Sequence, residues 1–358
     1  MTAERVVVVG ASAGGVESLM ALARGLPADF PAPVLVVLHF APHAPSVLPQ
    51  LLRGVGPLPA AHAQNGEPLE PRRIYVAPPD HHLLVEEGRV VVARGPKENG
   101  FRPSVDALFR SAAYVYGPAV VGVVLSGLLD DGTSGLWTVA RLGGTTVVQD
   151  PRDALFGDMP ENALRQVRVD HTVRVTEMGP LLTTLARAGT PPAPEEGMEE
   201  RELRRLQTEV RIASEDGALE RGVMALGDLS PVACPECHGT LVQIREGGRV
   251  RYRCHTGHAF TGDALLAGVT GSVEDNLWKA LRALEESIML LRQMGEHYAG
   301  LGEGRLAEAY LDHAHEAETR AQAVRELAQS SEHLSADLIR SGVRGGPSQA
   351  RGRARDAP

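Results

Sequence analysis

Through the first half of the chain, short unbroken apolar runs alternate with longer stretches of helical periodicity. The runs are Val6 to Val9, Val34 to Leu38, Ile74 to Ala77, Val120 to Leu125 and Thr145 to Val148. A strand that is apolar at every position is buried on both faces, the pattern of a parallel sheet with helices on either side. Leu83 to Val85 and Val90 to Ala93 flank Glu86-Glu87-Gly88 and predict a hairpin. Residues 1–188 are therefore expected to form an α/β domain with a doubly wound, mostly parallel sheet.

The pattern changes after that. Residues 189–200 are rich in Pro and Glu and read as a linker. In the helix expected within 201–227, Leu203, Leu206, Val210 and Ala213 share one face, as in a helix packed on a neighbour. A second β-hairpin is expected from Thr240 to Arg253, turning at Glu246-Gly247-Gly248, inside a small module spanning 228–265. Two long periodic helices follow within 272–335. Leu277, Leu281, Leu284, Ile288 and Leu291 make one seam, and Leu306, Tyr310, His313, Ala317, Val324 and Leu327 the other. They predict an antiparallel helical hairpin or a dimerising coiled coil. Residues 340–358, rich in Gly, Arg and Pro, are expected to be a disordered tail.

Composition narrows the class. A chain of 358 residues with 43% hydrophobic content has room for two domains and a substantial core. No run of about 18 apolar residues and no basic-then-apolar leader is present, so a cytoplasmic protein without membrane insertion is expected. The net charge of −9 argues against nucleic acid as a partner.

Candidate chemistry sits where the strands end, because open α/β sheets bind ligands beyond the carboxyl ends of their strands. The first run leads into Gly10-Ala11-Ser12-Ala13-Gly14, with the spacing G-x-S-x-G, and then into a helical pattern. Such an elbow projects a Ser hydroxyl and aims helix-start N–H groups at a developing oxyanion, although Gly-rich turns of this kind also cradle phosphates. His39 leaves the second run, and Asp130-Asp131 follow the fourth. Serine acyl chemistry needs this set: an imidazole to take the hydroxyl proton and a carboxylate to hold the imidazole.

Six ordered blocks carry a family resemblance. They are Gly10-Ala11-Ser12-Ala13-Gly14-Gly15; Leu38-His39-Phe40 with Pro42; Tyr75-Val76-Ala77-Pro78 with Asp80-His81-His82; Arg102-Pro103-Ser104-Val105-Asp106; Leu125-Ser126-Gly127-Leu128-Leu129-Asp130-Asp131-Gly132; and Met159-Pro160. Over about residues 4 to 188 the chain resembles the catalytic domain of CheB-type protein-glutamate methylesterases of bacterial chemotaxis. The resemblance implies Ser12 as nucleophile, His39 as base and Asp131 as the third member, with the backbone N–H groups of Ala13 and Leu128 as oxyanion donors. It implies hydrolysis of glutamyl γ-methyl esters on chemoreceptors or similar signalling proteins, glutamine deamidation as a related activity, and no cofactor for catalysis. Chemotaxis members carry a receiver domain ahead of the catalytic one, whereas this chain begins at the catalytic strand, so phosphorylation control of that kind is not expected. Arg102 is expected either to pair with an acid or to contact substrate, and Pro103 to sit in the first turn of a helix.

The three cysteines cluster as Cys234-Pro235-Glu236-Cys237 and Cys254-His255-Thr256-Gly257-His258, on either side of the second hairpin. Two close thiolates, a hairpin and a second close pair form the ligand arrangement of a zinc ribbon. Cys234, Cys237 and Cys254 are three ligands, and the fourth is His258 or His255. A gap of three residues lets the chain turn back on the ion, which favours His258 and disfavours His238. Four protein ligands make the site structural. Beside the esterase stand two other readings: a non-catalytic scaffold acting through the zinc and helical module, and a nucleotide-binding domain. The latter calls for an acidic residue after the second strand, where the sequence has His39.

Overall fold

The computed structural model describes residues 5–40, 45–194, 198–215 and 217–330. Pro42, the end of the proposed helical region (331–335) and the proposed tail (340–358) lie outside the described residues. The chain divides into two compact units, Met1–Leu265 and Leu266–Pro358.

The first unit opens with β1 (Val6–Ala11), α1 (Gly15–Gly25), β2 (Val34–Leu38), α2 (Leu48–Val55), β3 (Ala60–His62) and β4 (Ile74–Val76). Next come the hairpin β5 (His82–Glu86) and β6 (Arg89–Ala93), then α3 (Val105–Tyr116), β7 (Val120–Val124) and α4 (Thr133–Arg141). The α/β part closes with β8 (Thr145–Gln149), α5 (Asp158–Gln166), β9 (His171–Val173) and α6 (Val175–Arg187). Seven strands form one sheet in the order β3-β4-β2-β1-β7-β8-β9, and each pairing in it is parallel. Alternate side chains of β1 feed separate cores. Val7, Val9 and Ala11 pack with Leu19 and Leu22 of α1, Leu52 of α2 and Leu182 of α6. Val6 and Val8 pack with Leu108 of α3, Leu136 of α4 and Ala163 of α5. The sheet is thus covered on both faces, as the continuous apolar runs require.

Two details differ from expectation, and Arg102 takes the first of its two expected roles. The edge strands β3 and β9, three residues each, carry no apolar run. Helix α3 begins at Val105, so Pro103 precedes the Ser104 cap instead of occupying the first turn. Arg102 pairs with Asp80, its Nη2 2.7 Å from Oδ1, and donates to the Gly95 carbonyl at 2.7 Å.

The same unit continues through α7 (Glu200–Ser214) and a four-stranded antiparallel sheet of β10 (Asp228–Ala233), β11 (Thr240–Glu246), β12 (Arg249–Cys254) and β13 (Ala259–Thr261). Helix α7 buries Leu206, Ile212, Ala213 and also Glu209, while Leu203 is exposed. Glu209 meets Arg251 at 2.6 Å and Arg253 at 3.3 Å; Arg251 also meets Glu246, and Arg253 meets Glu98, which pairs with Arg110. Burial alone would raise the Glu98 and Glu209 carboxyls, but the guanidiniums facing them hold both below the ordinary glutamate value.

Helix α8 (Gly262–Gly300) begins at the end of the first unit, and with α9 (Gly304–Ser330) forms the second. Leu281, Leu284, Ile288 and Leu291 of α8 pack against Ala317, Ala321 and Val324 of α9, and Arg325 pairs with Glu285 at 2.6 Å. The buried line of α9 is Ala307, Ala314, Ala317, Ala321 and Ala328, so Leu306, His313 and Leu327 of the expected seam are exposed instead. Alanine at these positions lets the two helices approach closely.

Candidate active site

Strand β1 runs fully buried to Ala11, and the backbone then turns through Ser12 to Gly14 into α1. Gly14 caps the helix at φ 67°, and a Cβ there would come within 2.8 Å of both Leu155 Cβ and Ser126 Oγ. Glycine therefore relieves both strain and crowding at this turn. The Ser12 N–H donates to the Ser126 carbonyl at 2.9 Å, joining the turn after β1 to the segment after β7.

His39 emerges from β2, the neighbour of β1, with its side chain 4% exposed. Its Nδ1 lies 3.1 Å from Ser12 Oγ and its Nε2 2.8 Å from Asp131 Oδ2. The carboxylate only accepts, so Nε2 carries the proton and Nδ1 presents its lone pair to the serine hydroxyl. In the chymotrypsin arrangement the two nitrogens are exchanged, but the roles are the same. Phe101 stacks on the imidazole, with ring centroids 3.8 Å apart and planes 4° apart, which fixes the ring plane.

Asp131 is buried and takes several donors. Oδ2 also accepts from the Val105 N–H at 2.7 Å, while Oδ1 accepts from Asn99 Nδ2 at 2.8 Å and Ser104 Oγ at 3.0 Å. Burial by itself would raise this carboxyl; the bonds from His39, Val105 and Asn99 hold it below the ordinary aspartate value. Its neighbours go the other way. Asp106 is pushed up to about 7 by burial and by the Asp131 charge, and Asp130 to about 8 by burial, against a hydrogen bond from Thr261. Asp130 points away from His39 and accepts from Thr261 Oγ1 at 2.8 Å. Buried His82 supports the arrangement from behind: its Nε2 donates to the Pro96 carbonyl at 2.9 Å and its Nδ1 accepts from the Ser104 N–H at 3.2 Å.

The two expected oxyanion donors belong to segments next to the serine. Ala13 follows Ser12 at the start of the turn. Leu128 follows Gly127, where a Cβ would lie 2.9 Å from Ser12 Cβ and 2.0 Å from Met159 Sδ. The backbone therefore passes directly beside the nucleophile, and only glycine permits it. Leu128, Leu155 and Phe156 are exposed near this edge. Asn99 and Phe101 carry no sequence motif and act through loop geometry, while Ser104 lies within the block from Arg102 to Asp106 but is not marked there as a site residue.

The Cys/His group lies at the end of the antiparallel sheet. Cys234, Cys237, Cys254 and His258 place one ligand atom each within 4.8 Å of one another. The Cys237 and Cys254 sulfurs are 3.7 Å apart, and His258 Nδ1 is 3.5 Å from Cys254 Sγ and 3.8 Å from Cys234 Sγ. A tetrahedral ion with ordinary Zn–S and Zn–N bonds sets edges of about 3.8 Å between sulfurs and about 3.6 Å from sulfur to nitrogen, so the four residues fit such an ion. His255 directs its ring at Gly239, where a Cβ would meet it at 2.0 Å, and is not in the group.

Comparison with known proteins identifies the family. The CheB methylesterase family profile matches residues 7–182. The protein-glutamate methylesterase/protein-glutamine glutaminase 4 of Myxococcus xanthus is 41% identical over 183 residues, which cover 51% of this chain and 52% of that one. A putative protein of the same description from Leptospira interrogans is 32% identical over 180 residues, covering 50% of this chain and 93% of that one. The chain spans about half the length of the first of these relatives. Among solved structures, the catalytic domain of Thermotoga maritima CheB methylesterase aligns with TM-score 0.49 at 32% identity, covering 51% of this chain and 98% of that one.

Proposed function

The chain belongs to the CheB methylesterase family, and from that premise we propose that it is a protein-glutamate methylesterase acting through Ser12, His39 and Asp131. The observation that carries this reading is His39 bridging Ser12 Oγ and Asp131 Oδ2. Ser12 Oγ attacks the γ-carbonyl of a glutamyl methyl ester while His39 Nδ1 takes its proton. The N–H groups of Ala13 and Leu128 receive the oxyanion, and the N-terminus of α1 favours its charge. Asp131 stabilises the imidazolium through Nε2–H. His39 then returns the proton to the departing methoxide, releasing methanol, and activates the water that hydrolyses the acyl-enzyme to free glutamate. Glutamine side chains would react by the same steps with ammonia leaving.

The substrate we assign is a methylated chemoreceptor or a related cytoplasmic signalling protein. The exposed Leu128, Leu155 and Phe156 beside Ser12 suit the apolar stripe of a substrate helix. Among the described residues no helix is long and apolar enough to cross a membrane. Catalysis draws on no cofactor. Cys234, Cys237, Cys254 and His258 would hold a structural zinc ion, in a zinc-ribbon-like module, whose chemistry is to cross-link the two turns of the antiparallel sheet.

The test is methanol release from a methylated receptor fragment by the full chain and by Ser12→Ala. Release by the wild type at more than about 1,000 times the variant's rate is expected. Equal release by both would exclude Ser12, and no release by either would favour the scaffold reading.

A further inference from the structure

Asn99 is no member of the triad, yet its side chain touches three segments. It sits in the turn from Glu98 to Phe101 at φ 54° and is 8% exposed. Its Nδ2 donates to Asp131 Oδ1 at 2.8 Å and to Asp106 Oδ2 at 3.0 Å, bridging two carboxyl groups. Its Oδ1 accepts the Thr261 N–H at 2.8 Å, and its own N–H donates to the Ala259 carbonyl at 2.7 Å. Ala259 and Thr261 are the ends of β13, the strand that starts immediately after His258 and pairs with β12, whose last residue is Cys254. A second bond follows the same route, from Thr261 Oγ1 to Asp130. Around it, buried Glu98 pairs with Arg253 of β12 at 2.7 Å and with Arg110 of α3.

These contacts form a short path: Cys/His cluster, β12 and β13, Asn99, Asp131. The other donors to Asp131 Oδ1 and to Oδ2 besides His39 come from Ser104, Val105 and Asp106, three consecutive residues at the start of α3. Asn99 supplies the contact from a different segment, and that segment is held by the antiparallel sheet. We propose that Asn99 is a positioning residue for Asp131, and that metal bound by Cys234, Cys237, Cys254 and His258 keeps Asn99 in place, so that the metal state of the small sheet sets the strength of the serine centre. The proposal rests on the reading above of Ser12 as nucleophile and of the cluster as a metal site. It gives the antiparallel sheet a task in the reaction: loss of the ion frees the ends of β12 and β13, withdraws the Thr261 N–H from Asn99, and leaves the Asp131 carboxylate held, apart from His39, by the start of α3 alone. Such a loosening lowers the turnover step and leaves substrate binding unchanged, because Asn99 lies behind Asp131 and away from Ser12.

The experiment uses the full-length, zinc-loaded chain and a fluorophosphonate probe that phosphonylates activated serines with loss of fluoride, so it needs no knowledge of the natural substrate. Wild type, Asn99→Gly and Ser12→Ala are compared before and after treatment with a strong chelator. Glycine is chosen because it accepts φ 54° without strain. Asn99→Gly is expected to keep one zinc per chain and a cooperative melt, and to label at a maximal rate about ten to one hundred times lower at unchanged half-saturating probe concentration. Chelation should slow the wild type by a similar factor, reversed by added zinc, and slow Asn99→Gly by less than about two-fold, as expected for two changes on one path. Equal slowing of both by the chelator, wild-type labelling by Asn99→Gly, or a wild type that takes up no zinc would each overturn the proposal. Should Asn99→Gly fail to fold, the loss and return of wild-type labelling on chelation and repletion decides, and labelling that ignores zinc overturns it. Absence of Ser12 labelling in the untreated wild type would overturn the nucleophile reading and this proposal together, whereas failure of the coupling alone leaves that labelling intact.

Discussion

The serine edge and the Cys/His cluster each hold several polar atoms within a few ångströms of one point, but their supports are opposite. Ser12 and His39 leave adjacent strands, β1 and β2, of a parallel sheet that is buried on both faces. Asp131 is anchored by main-chain N–H groups at the start of α3. The site is a product of the fold. Around the cluster, β10 is exposed along almost its whole length, and the interior of the sheet is shared with buried ion pairs. Leu241, Val242, Ile244 and Phe260 are buried, but β10, which leads to Cys234, has almost no such cover, and there a bound ion would add order that packing does not supply. Stability in a chain can thus run from core to chemistry in one region and from chemistry to local structure in another.

The largest effect expected is on the first side. Asp131→Asn should cut kcat by about 1,000- to 10,000-fold without unfolding the chain, because an amide in place of the carboxylate no longer fixes the Nε2–H tautomer; steady-state methanol release and a thermal melt check both halves. Next is the ion lattice between the regions. Glu209→Ala leaves Arg251 and Arg253 short of a buried partner and should cost about 3 to 5 kcal/mol in urea unfolding. A loss below about 1 kcal/mol would mean that water or relaxation satisfies the guanidiniums. Third, a chelator should raise amide exchange in β10 to β13 by more than about 100-fold while β1, β2 and β7 stay protected, equivalent to a local loss near 3 kcal/mol. Uniform protection would erase the contrast drawn here.

An effect that is smaller per pH unit concerns titration. Asp130, raised to about 8, binds more protons folded than unfolded between about pH 4 and 8, so its contribution to stability falls as pH rises through that window. Asp130→Asn should flatten the decline, by at most about 1.4 kcal/mol per pH unit; urea midpoints at pH 5 and pH 8 measure it. Least of all, Leu128→Met should leave kcat within about two-fold, because the oxyanion donor assigned to this position is a main-chain N–H.

Much of this was legible in the sequence, and the parts that were not share a cause. Runs such as Val6 to Val9 announce buried parallel strands, and residues leaving such runs fall on one edge of the sheet, which is how Ser12, His39 and Asp131 stand out. Cys234, Cys237, Cys254 and His258 stand out through local spacing. Asn99, Phe101 and Thr261 do not: each sits in a short loop or strand end, and its role depends on which distant segment passes nearby. Glu209 lies on a helix where the sequence marks only the apolar face, and only the arrival of Arg251 and Arg253 from β12 makes its burial tolerable. Strands β3 and β9 are too short for periodicity to register. The α9 seam is misread because alanine is weakly hydrophobic yet packs best where helices come close.

The most direct test of the central claim is to quench the full chain in acid during turnover of a methyl-esterified peptide and map the adduct by mass spectrometry. The account predicts a peptidyl group esterified to Ser12 that forms as methanol is released. An adduct on another residue, or methanol release that persists in Ser12→Ala, would contradict it.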